Sequence, residues 1–418
     1  MNKNFLALGL AAALLAPQVA GAEGFAINEW SAEGVAMGGA RMFAEDDAAN
    51  VAYNPASITK VKGEVMKSSY TYLSPHGNYK LYDSNNDEIK GEPTHNKVHA
   101  GWAVGTYYVR QINDKEWFGI GAFPRFAMVS EFERESNASS NAFFSKLNGV
   151  SVTPTYAHKF DKKWSAAVGA EINYVGLELQ KNSYDPRVQM NVGATQTEGE
   201  SYALGWNAAA NYAFDDKNEI GVVYRSRITH SLEADFKMYP VIGDKITADA
   251  YGVVTLPDSW DIGYNHKFDK KTRLELKATR TNWSTYDALN ISLSNPSVPG
   301  VLPSNVDSDK NWENGWRYAI GLEHNLSDKY TVMAGFAFDE SSIPHDGGDF
   351  MVPTGLRRTY SIGARYNDKK QTVAVALGWM DVGTLDFAGH PEKGDAYSSA
   401  HAYDSFTKIA SISYQRKF

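Results

Sequence analysis

The stretch that decides the fold is Gly24–Thr59, GFAINEWSAEGVAMGGARMFAEDDAANVAYNPASIT. It predicts no strand, because small and acidic residues dominate it and apolar and polar positions do not alternate for more than a few residues. It predicts no continuous helix either, since Gly34, Gly38 and Gly39 interrupt it and Pro55 ends it. The sequence after it alternates repeatedly. We therefore predict that this segment plugs a barrel formed by the rest of the chain.

Residues 1–22 have the pattern of a secretory signal peptide. Lys3 supplies the positive start, Phe5–Ala16 the apolar stretch and Ala20–Ala22 the small residues of a cleavage site. The apolar stretch has about twelve residues, fewer than the roughly 20 that a membrane-spanning helix needs. An uncleaved anchor or a buried helix is the alternative interpretation. No later stretch is long and apolar enough for a transmembrane helix.

The composition fits an exported chain that folds without disulfides. The 418 residues include no cysteine, so backbone pairing and packing are expected to hold the chain together. Aromatic residues make up 13%, which is high for a chain whose 22% of charged residues would otherwise suit a soluble protein. The formal net charge is −8, and an acidic chain gives no reason to expect nucleic acid as a partner.

Short polar turns recur along the chain and divide it into hairpins. They are rich in Asp, Asn and Lys, which tolerate and solvate the backbone of tight turns. Six such turns, with one strand before and one after them, predict about 14 strands, an even number as in bacterial outer-membrane barrels. Longer polar segments alternate with the turns and are expected to be loops at the opposite end. The turns are residues 112–115, 161–163, 215–218, 269–271, 327–329 and 367–370.

Within each predicted strand, one face is apolar and the other is small, polar or charged. Residues 164–174 have this split, with Trp164 and Tyr174 at the ends of the apolar face, where a membrane-interface girdle is expected. A soluble β-sandwich also alternates, but its strands usually have about five or six residues, whereas these have about ten or more. We therefore predict an all-β fold, a 14-stranded antiparallel transmembrane β-barrel of residues 62–418 with residues 23–61 as a hatch in its lumen.

The chain ends in an alternating strand, Phe406–Phe418, with an aromatic residue at the terminus. This ending is similar to the one that the outer-membrane assembly machinery reads, which makes that machinery an expected partner. Ile412, Tyr414 and Phe418 share one face. Arg416 lies on the same face and is expected to extend its charged end to the rim.

No pattern for catalysis or metal binding stands out. The 10 histidines are scattered, and the one close pair, His95 and His99, lacks the carboxylate pattern that would favour a metal site. No GxSxG elbow is present. The adjacent carboxylates Asp46 and Asp47 are compatible with a cation site, but solvated or arginine-paired carboxylates are the more common arrangement. We predict no catalytic residue, no metal, no cofactor and no enzyme activity.

Several blocks of the sequence, taken in order, resemble the FadL-type outer-membrane transporters for hydrophobic compounds, the long-chain fatty acid transporter family. The resemblance covers essentially the whole mature chain. Any single block would be weak evidence for the family, but the set of blocks in this order is specific to it. The blocks are Gly24-Phe25-x-x-Asn28-Glu29, Glu45-Asp46-Asp47-Ala48-x-Asn50-Val51, Asn54-Pro55-Ala56, Gly205-Trp206-Asn207-Ala208, Tyr224-Arg225-Ser226, Leu256-Pro257-Asp258-Ser259-Trp260 and Phe336-Ala337-Phe338-Asp339-Glu340-Ser341.

The resemblance implies a hatch inside the barrel and uptake through the barrel wall. Substrate would be captured among the outer loops, bind an apolar pocket and leave sideways through a gap where one strand kinks inward. Pro124 interrupts the third predicted strand, Phe118–Phe132, and a proline cannot donate a ladder hydrogen bond. A bulge near the rim is the alternative. The expected lateral opening consists of Phe123, Pro124, Arg125, Phe126 and Ala127.

The resemblance also implies roles for residues of the hatch. Phe25 corresponds to the N-terminal aromatic residue that reaches into the binding pocket, and Ile27 beside it is expected to contribute to the same site. The hatch motif consists of Asn54, Pro55 and Ala56.

In the family's fatty-acid transporters an arginine and a lysine hold the substrate carboxylate. Lys310 lies near the position of that lysine, whereas the position of the arginine falls close to Gly176 and is not preserved. Arg225 and Arg227 point inward on the predicted alternation and are expected to substitute for it.

The function predicted from the sequence is passive uptake of long-chain fatty acids or similar hydrophobic molecules by a monomer in the bacterial outer membrane. Uptake of neutral aromatic hydrocarbons is an alternative, because the carboxylate-binding arginine is absent. A porin for polar solutes and an outer-membrane lipase or protease are further alternatives. The expected partners are the hydrophobic solute and the lipid of the membrane.

Overall fold

The computed structural model describes residues 24–90, 94–98, 100–185, 187–188 and 190–418. The signal peptide predicted for residues 1–22 and His99 lie outside these ranges. In the described part of the chain, fourteen antiparallel strands form one closed sheet, in which the first strand pairs with the last. The number of strands predicted from the turns is confirmed.

Eight of these strands are continuous and six are each divided into two segments. The continuous strands are β1 (Glu64–Tyr82), β2 (Gly101–Gln111), β4 (Phe144–Lys159), β5 (Trp164–Asp185), β6 (Met190–Ala213), β11 (Tyr330–Asp339), β12 (Arg357–Asn367) and β14 (Ser399–Lys417). The divided strands are β3 (Glu116–Phe123 and Ala127–Glu131), β7 (Asn218–Arg225 and Ile228–Pro240), β8 (Ile246–Leu256 and Ser259–Lys267), β9 (Thr272–Thr281 and Ala288–Ser294), β10 (Asn305–Asp309 and Gly315–Asn325) and β13 (Gln371–Val382 and Leu385–Ala388). A two-residue strand, Thr94–His95, pairs with β1.

The six predicted turns all join neighbouring strands at one end of the barrel. In the turn between β8 and β9, Oδ1 of Asp269 accepts hydrogen bonds from the backbone nitrogens of Lys271 at 2.7 Å and Thr272 at 2.8 Å. These bonds stabilise the ionised carboxylate and lower the pKa of Asp269. The equivalent pairs of bonds are made by Asp161, Asp215 and Asp368.

The predicted alternation of faces is confirmed, with the apolar face outward. In β5, Trp164, Val168 and Ile172 are exposed, whereas the odd-numbered residues 165–175 are buried. At the other end, several strands continue into the polar segments that were predicted to be loops. β5 and β6 have 22 and 24 residues, about twice the 9–11 that a tilted strand needs to cross a bilayer.

Residues 24–61 lie inside the barrel and are nearly all buried. Gly34 allows this segment to fold back on itself, because a Cβ there would lie 1.8 Å from the hydroxyl oxygen of Tyr53. No helix in the described ranges is long and apolar enough to cross a membrane. The segment contains α1 (Ala32–Ala36), α2 (Asn50–Tyr53) and a 3₁₀ helix, Pro55–Lys60; further 3₁₀ helices are Asn137–Ser140, Trp283–Thr285, His345–Gly347 and Pro391–Lys393.

Charged residues of the inner face form ion pairs with this segment. Arg41 contacts Asp47 and Glu323 with N–O distances of 3.0 Å each. Asp47 also contacts Lys67 of β1 at 2.9 Å, and Glu323 contacts Arg273 of β9 at 3.0 Å. The N-terminal segment covers these inward charges and supplies their counter-charges, as buried ionised groups require. Asp47 is paired with arginine, which confirms the more common arrangement.

Candidate functional site

The third barrel strand is broken where the sequence predicts an interruption. The first segment of β3 pairs with β2 only through residues 117–122, and the second segment, residues 127–131, pairs with β4 alone. Residues 101–105 of β2 therefore have ladder partners only in β1. The wall therefore has an interval without ladder hydrogen bonds, here called the gap, between β2 and the second segment of β3. Its use as an exit stays a prediction.

One extra residue creates this break. Residues 123–127 of β3 span only residues 148–151 of β4. The surplus backbone folds inward, so that the carbonyl oxygen of Phe126 lies over Gly149, where a Cβ would be 2.3 Å from that oxygen. Because a backbone atom fills the place of a side chain, only glycine fits at this position of β4.

The N-terminal segment supplies the strand partner that β3 lacks at the break. Residues 25–27 form an antiparallel bridge with residues 125–127, flanked by two backbone hydrogen bonds of 2.9 Å, one donated from each side. The indole Nε1 of Trp30 donates a hydrogen bond to the carbonyl oxygen of Pro124 at 2.6 Å. The position of the break is thus coupled to the position of the N-terminus.

Arg125 reaches from the break across the lumen. Its buried guanidinium donates hydrogen bonds to a carboxylate oxygen of Glu171 at 3.1 Å, to the carbonyl oxygen of Ser226 at 3.2 Å and to that of Pro257 at 3.1 Å. Ser226 lies between the two segments of β7, and Pro257 lies between those of β8. The side chain of Arg125 therefore points away from the gap and joins three broken strands.

Phe25 lies at the centre of a buried aromatic cluster. Edge contacts between aromatic rings add about 0.5–1.5 kcal/mol each to the burial of apolar area. Gly24 has a φ of +63° and a Cβ there would lie 2.6 Å from the ring of Trp312, so glycine is required just before Phe25. The ring centroids of Trp283, Tyr286, Trp312 and Phe126 lie 4.7, 5.5, 5.7 and 6.0 Å from that of Phe25.

Apolar residues continue from this cluster toward the end of the barrel that carries the long loops. They lead to a cavity of about 440 Å³, a volume within the range of small-molecule sites. Leu179, Ile291 and Met351 line the cavity and also pack against the cluster. Lys393 and Asp395 are among the charged residues of the cavity wall, and burial raises the pKa of Asp395. The cavity and the cluster form one path from the loops into the barrel.

Lys310 is a buried cation beside this path. Its neighbours Asp309 and Asn311 line the cavity, and its Nζ contacts a carboxylate oxygen of Asp349 and, at 3.6 Å, the sulfur of Met351. Burial on its own would lower the pKa of Lys310, but the attraction of Asp349 outweighs it and leaves the pKa above its ordinary value. Lys310 is therefore charged at neutral pH. Its role in holding a ligand carboxylate stays a prediction.

The two predicted arginines lie on opposite faces of the wall. Arg225 points inward, where it contacts Asp261 at 2.8 Å and the carbonyl oxygen of Ala52, so it fastens the N-terminal segment. Arg227 has 60% of its side chain exposed and contacts Asp258 at 3.2 Å. The prediction that Arg227 points into the lumen is wrong, because the break in β7 inserts an extra residue and shifts the alternation by one position.

Asn54, Pro55 and Ala56 begin the 3₁₀ helix and attach it to the wall. Oδ1 of Asn54 accepts a hydrogen bond from the backbone nitrogen of Ala56 at 3.1 Å, and Nδ2 donates one to Asn211 of β6 at 2.8 Å. Pro55 occupies the first helical position, where no backbone N–H is needed. Ile27 belongs to the larger apolar core around the N-terminal segment and not to the cluster around Phe25.

No pattern in the sequence predicted that tryptophans would surround Phe25. Trp283 and Trp312 flank residues 284–311, one of the longer polar segments that were predicted to be loops, and aromatic residues beside an outer loop usually belong to the interfacial girdle. Here both fold inward and are buried. Their Nε1 atoms lack a hydrogen-bond partner among the described residues. Within the described ranges, no group of three or more His, Asp or Glu residues is arranged to hold a metal ion.

The chain is similar to a known protein family and to curated proteins over most of its length. The model of a family described as outer membrane protein transport protein (OMPP1/FadL/TodX) matches residues 13–415. The long-chain fatty acid transport protein of Escherichia coli K12 is 23% identical over 416 residues, covering 90% of this chain and 91% of that protein. Outer membrane protein P1 of Haemophilus influenzae is 25% identical over 409 residues, covering 87% of this chain and 86% of that protein.

Solved structures share the fold. A FadL homologue from Pseudomonas aeruginosa has a TM-score of 0.83 and 18% sequence identity, with coverage of 94% of this chain and 100% of that one. The toluene transporter TodX from Pseudomonas putida has a TM-score of 0.71 and 16% identity, with coverage of 95% and 100%. At these identities the likeness concerns the architecture of the barrel.

Proposed function

Because this chain belongs to the OMPP1/FadL/TodX family of outer membrane transport proteins, we propose that it takes up long-chain fatty acids or similar hydrophobic molecules by passive lateral transfer. As a member of that family it is a β-barrel of the bacterial outer membrane, and its short turns face the periplasm. The observation that carries the proposal is the break in β3, which is bridged by the same residues that hold Phe25 in the aromatic cluster.

Capture begins in the cavity among the extracellular loops. Its walls combine apolar residues such as Leu179 and Ile291 with charged residues at the rim, which suits a molecule with a long apolar part and a polar end. A solute that moves down the apolar path stays out of water, and each buried CH₂ is worth about 0.8 kcal/mol. Transfer along this path is therefore downhill relative to a water-filled channel.

Binding in the aromatic cluster opens the exit. Phe25 fills the centre of the cluster, so a ligand must displace it. Displacement pulls on the bridge between residues 25–27 and 125–127 and frees the break in β3. The solute then leaves through the gap between β2 and β3 into the outer leaflet. A ligand oxygen would also satisfy the indole nitrogens of Trp283 and Trp312.

We assign residues 23–61 the role of a hatch that closes the lumen to polar solutes, and residues 62–418 that of the barrel. Residues 1–22 are a signal peptide in this assignment. The barrel acts as a monomer, is inserted by the assembly machinery that reads its terminal aromatic residue, and performs no enzymatic reaction. Its partners are the hydrophobic solute and membrane lipid.

Uptake of oleate by cells that lack their own transporter tests the function. We expect the chain to restore uptake, and uptake equal to that of the empty vector would contradict the proposal. Planar bilayers test the porin alternative, because a polar pore would give steady ion conductance and a hatched barrel would not. Hydrolysis of phospholipid or peptide by the purified protein would favour the enzyme alternative.

Lys310 distinguishes fatty acids from neutral hydrocarbons. A charge-assisted hydrogen bond to a carboxylate is worth about 1.5–3 kcal/mol, so Lys310→Met should weaken oleate binding by about tenfold or more and leave the binding of toluene unchanged. Combining it with Asp349→Asn avoids an unpaired buried carboxylate. The control is Lys393→Met, which removes an exposed lysine of the cavity rim. Equal loss of oleate and toluene binding would exclude a carboxylate-specific role, and unchanged oleate binding would favour neutral hydrocarbons as the substrate.

Asn54 tests the attachment of the hatch. Asn54→Ala removes both the helix cap and the hydrogen bond to Asn211, at a cost of about 1–2 kcal/mol to the docking of the hatch. We expect oleate uptake to fall while the barrel still assembles, as judged by its altered electrophoretic mobility after heating. Normal uptake by this variant would argue against a role of the motif in transport.

A further inference from the structure

A second interval of the barrel wall lacks ladder pairing, between β6 and β7. β6 pairs with β5 from Met190 to Tyr212. On its other side, residues 207–213 pair with the first segment of β7 and residues 193–200 with the second, whereas residues 201–206 have no ladder partner there. All of these residues lie in the described ranges. Two hydrogen bonds of 2.9 Å between Trp206 and Ser226 close the end of the interval that is nearer the turn at residues 215–218.

This interval is built like the break in β3. Residues 225–233 of β7 span only residues 200–207 of β6, so one extra residue is present here too. A glycine again faces the break, since a Cβ on Gly205 would lie 2.8 Å from the side chain of Ile228. The difference is the atom that fills the space. Over Gly149 it is a backbone oxygen, whereas over Gly205 it is the side chain of Ile228, which can change rotamer without moving the strand.

The binding pocket lies directly behind the interval. Ile228 and Leu232 are buried members of the cluster around Phe25, and Ala203 packs against that cluster. On the outer surface, Leu204 is 76% exposed, compared with 47% for Ile172, its direct partner on β5. This excess exposure is expected if β7 recedes from β6 and leaves one flank of Leu204 uncovered. A single layer of side chains therefore separates the pocket from the lipid.

We propose that this interval, residues 201–206 of β6 and 226–232 of β7, is a second lateral exit for the same hydrophobic solutes, with Ile228 as its gate. The proposal rests on the transport function proposed above. Arg125 couples the two exits, because it extends from the break in β3 and donates a hydrogen bond to the carbonyl oxygen of Ser226 at the break in β7. Movement of the first break on ligand binding therefore also pulls on the second. The exit accepts slender aliphatic or small aromatic molecules, because Ile228 and Leu232 line it with apolar side chains on the pocket side, and the buried His230 between them is held by Asn173 at 2.9 Å.

Cross-linking of the two strands tests the second exit. The chain contains no cysteine, so Leu204→Cys and Thr229→Cys place two thiols on the outer face of the interval, where a short membrane-permeant bismaleimide can join them. The matched control is Leu204→Cys with Ile172→Cys, which joins β6 to β5 where the ladder is continuous. Each pair of cysteines is introduced once into the parent chain and once into the Gly149→Ala variant, in which the added methyl group crowds the break in β3. Oleate uptake is measured before and after cross-linking, with assembly checked by heat-dependent mobility.

We expect the Leu204–Thr229 cross-link to cause a partial loss of uptake in the parent chain and to abolish the residual uptake of the Gly149→Ala variant. The control cross-link should change the uptake of neither the parent chain nor the Gly149→Ala variant. Residual uptake by the Gly149→Ala variant that persists after the Leu204–Thr229 cross-link would overturn the second exit. A Gly149→Ala variant with no residual uptake would also overturn it, but uptake by the parent chain would still support the transport function. Failure of the uncross-linked parent chain to take up oleate would overturn the transport function and this inference together.

Discussion

Oleate uptake is expected to fall about tenfold when Gly149 is replaced by alanine, because the new Cβ would lie 2.3 Å from the carbonyl oxygen of Phe126. An increase of about 1.4 kcal/mol in the barrier to transport is enough to slow the rate tenfold. Overpacking of this kind typically costs about 1–3 kcal/mol. The crowded backbone must leave the inner face of β4, which disrupts the bridge to residues 25–27. Uptake in cells that lack their own transporter measures the effect.

Gly176→Ala is the matched control for this substitution. Gly176 lies on β5 and pairs with Asn148, the residue next to Gly149. A Cβ there would lie 3.1 Å from the hydroxyl of Tyr174, which is the movable end of a side chain. Uptake should therefore be nearly unchanged in this variant. Equal uptake by both variants would mean that the inward fold of β3 plays no part in transport.

The second large effect is expected for Asp47→Asn, which should turn a closed barrel into an ion-conducting one. Asp47 pairs with Arg41 of the hatch at 3.0 Å and with Lys67 of β1 at 2.9 Å, and all three side chains are buried. Loss of one partner from a buried pair costs about 3–5 kcal/mol, because the remaining charges lose their compensation. This cost destabilises the docking of the hatch in the lumen, whereas the hydrogen bonds between the barrel strands are unaffected. Ion conductance in planar bilayers measures the opening.

Asp46→Asn is the control for Asp47→Asn, because it changes the adjacent aspartate in the same way. Asp46 is partly exposed and contacts Lys417 at the periplasmic rim. Asparagine also tolerates its positive φ of 55°. We expect no added conductance from this variant. Conductance that rises equally in both variants would show that the buried ion pairs do not hold the hatch.

The barrel was predictable from the sequence because its signals are local. Outward and inward faces alternate with period two, as in residues 164–174, and turns such as the one at Asp269 are fixed by contacts two or three residues away. Pro124 also gave a local signal, since a residue without an N–H interrupts a ladder. These features need no knowledge of the tertiary structure.

The interior was less predictable because its partners come from distant parts of the chain. The break in β7 contains no proline, so nothing in the sequence marked the extra residue that turns Arg227 outward. Phe25 meets Trp283 and Trp312 only after the barrel closes. The pairing of Lys310 with Asp349 likewise depends on two loops meeting over the lumen. An alternation pattern specifies the face of a residue only until the next bulge.

The path of the solute through the wall is tested most directly by photolabelling with a fatty acid that carries a diazirine near its methyl end. The purified protein is irradiated with this ligand in lipid nanodiscs, and the labelled peptides are identified by mass spectrometry. We predict labels in the aromatic cluster and on the edges of the gap, in residues 101–105 and 123–128. Labels confined to the periplasmic part of the hatch, residues 44–60, would indicate passage along the barrel axis and would contradict lateral transfer.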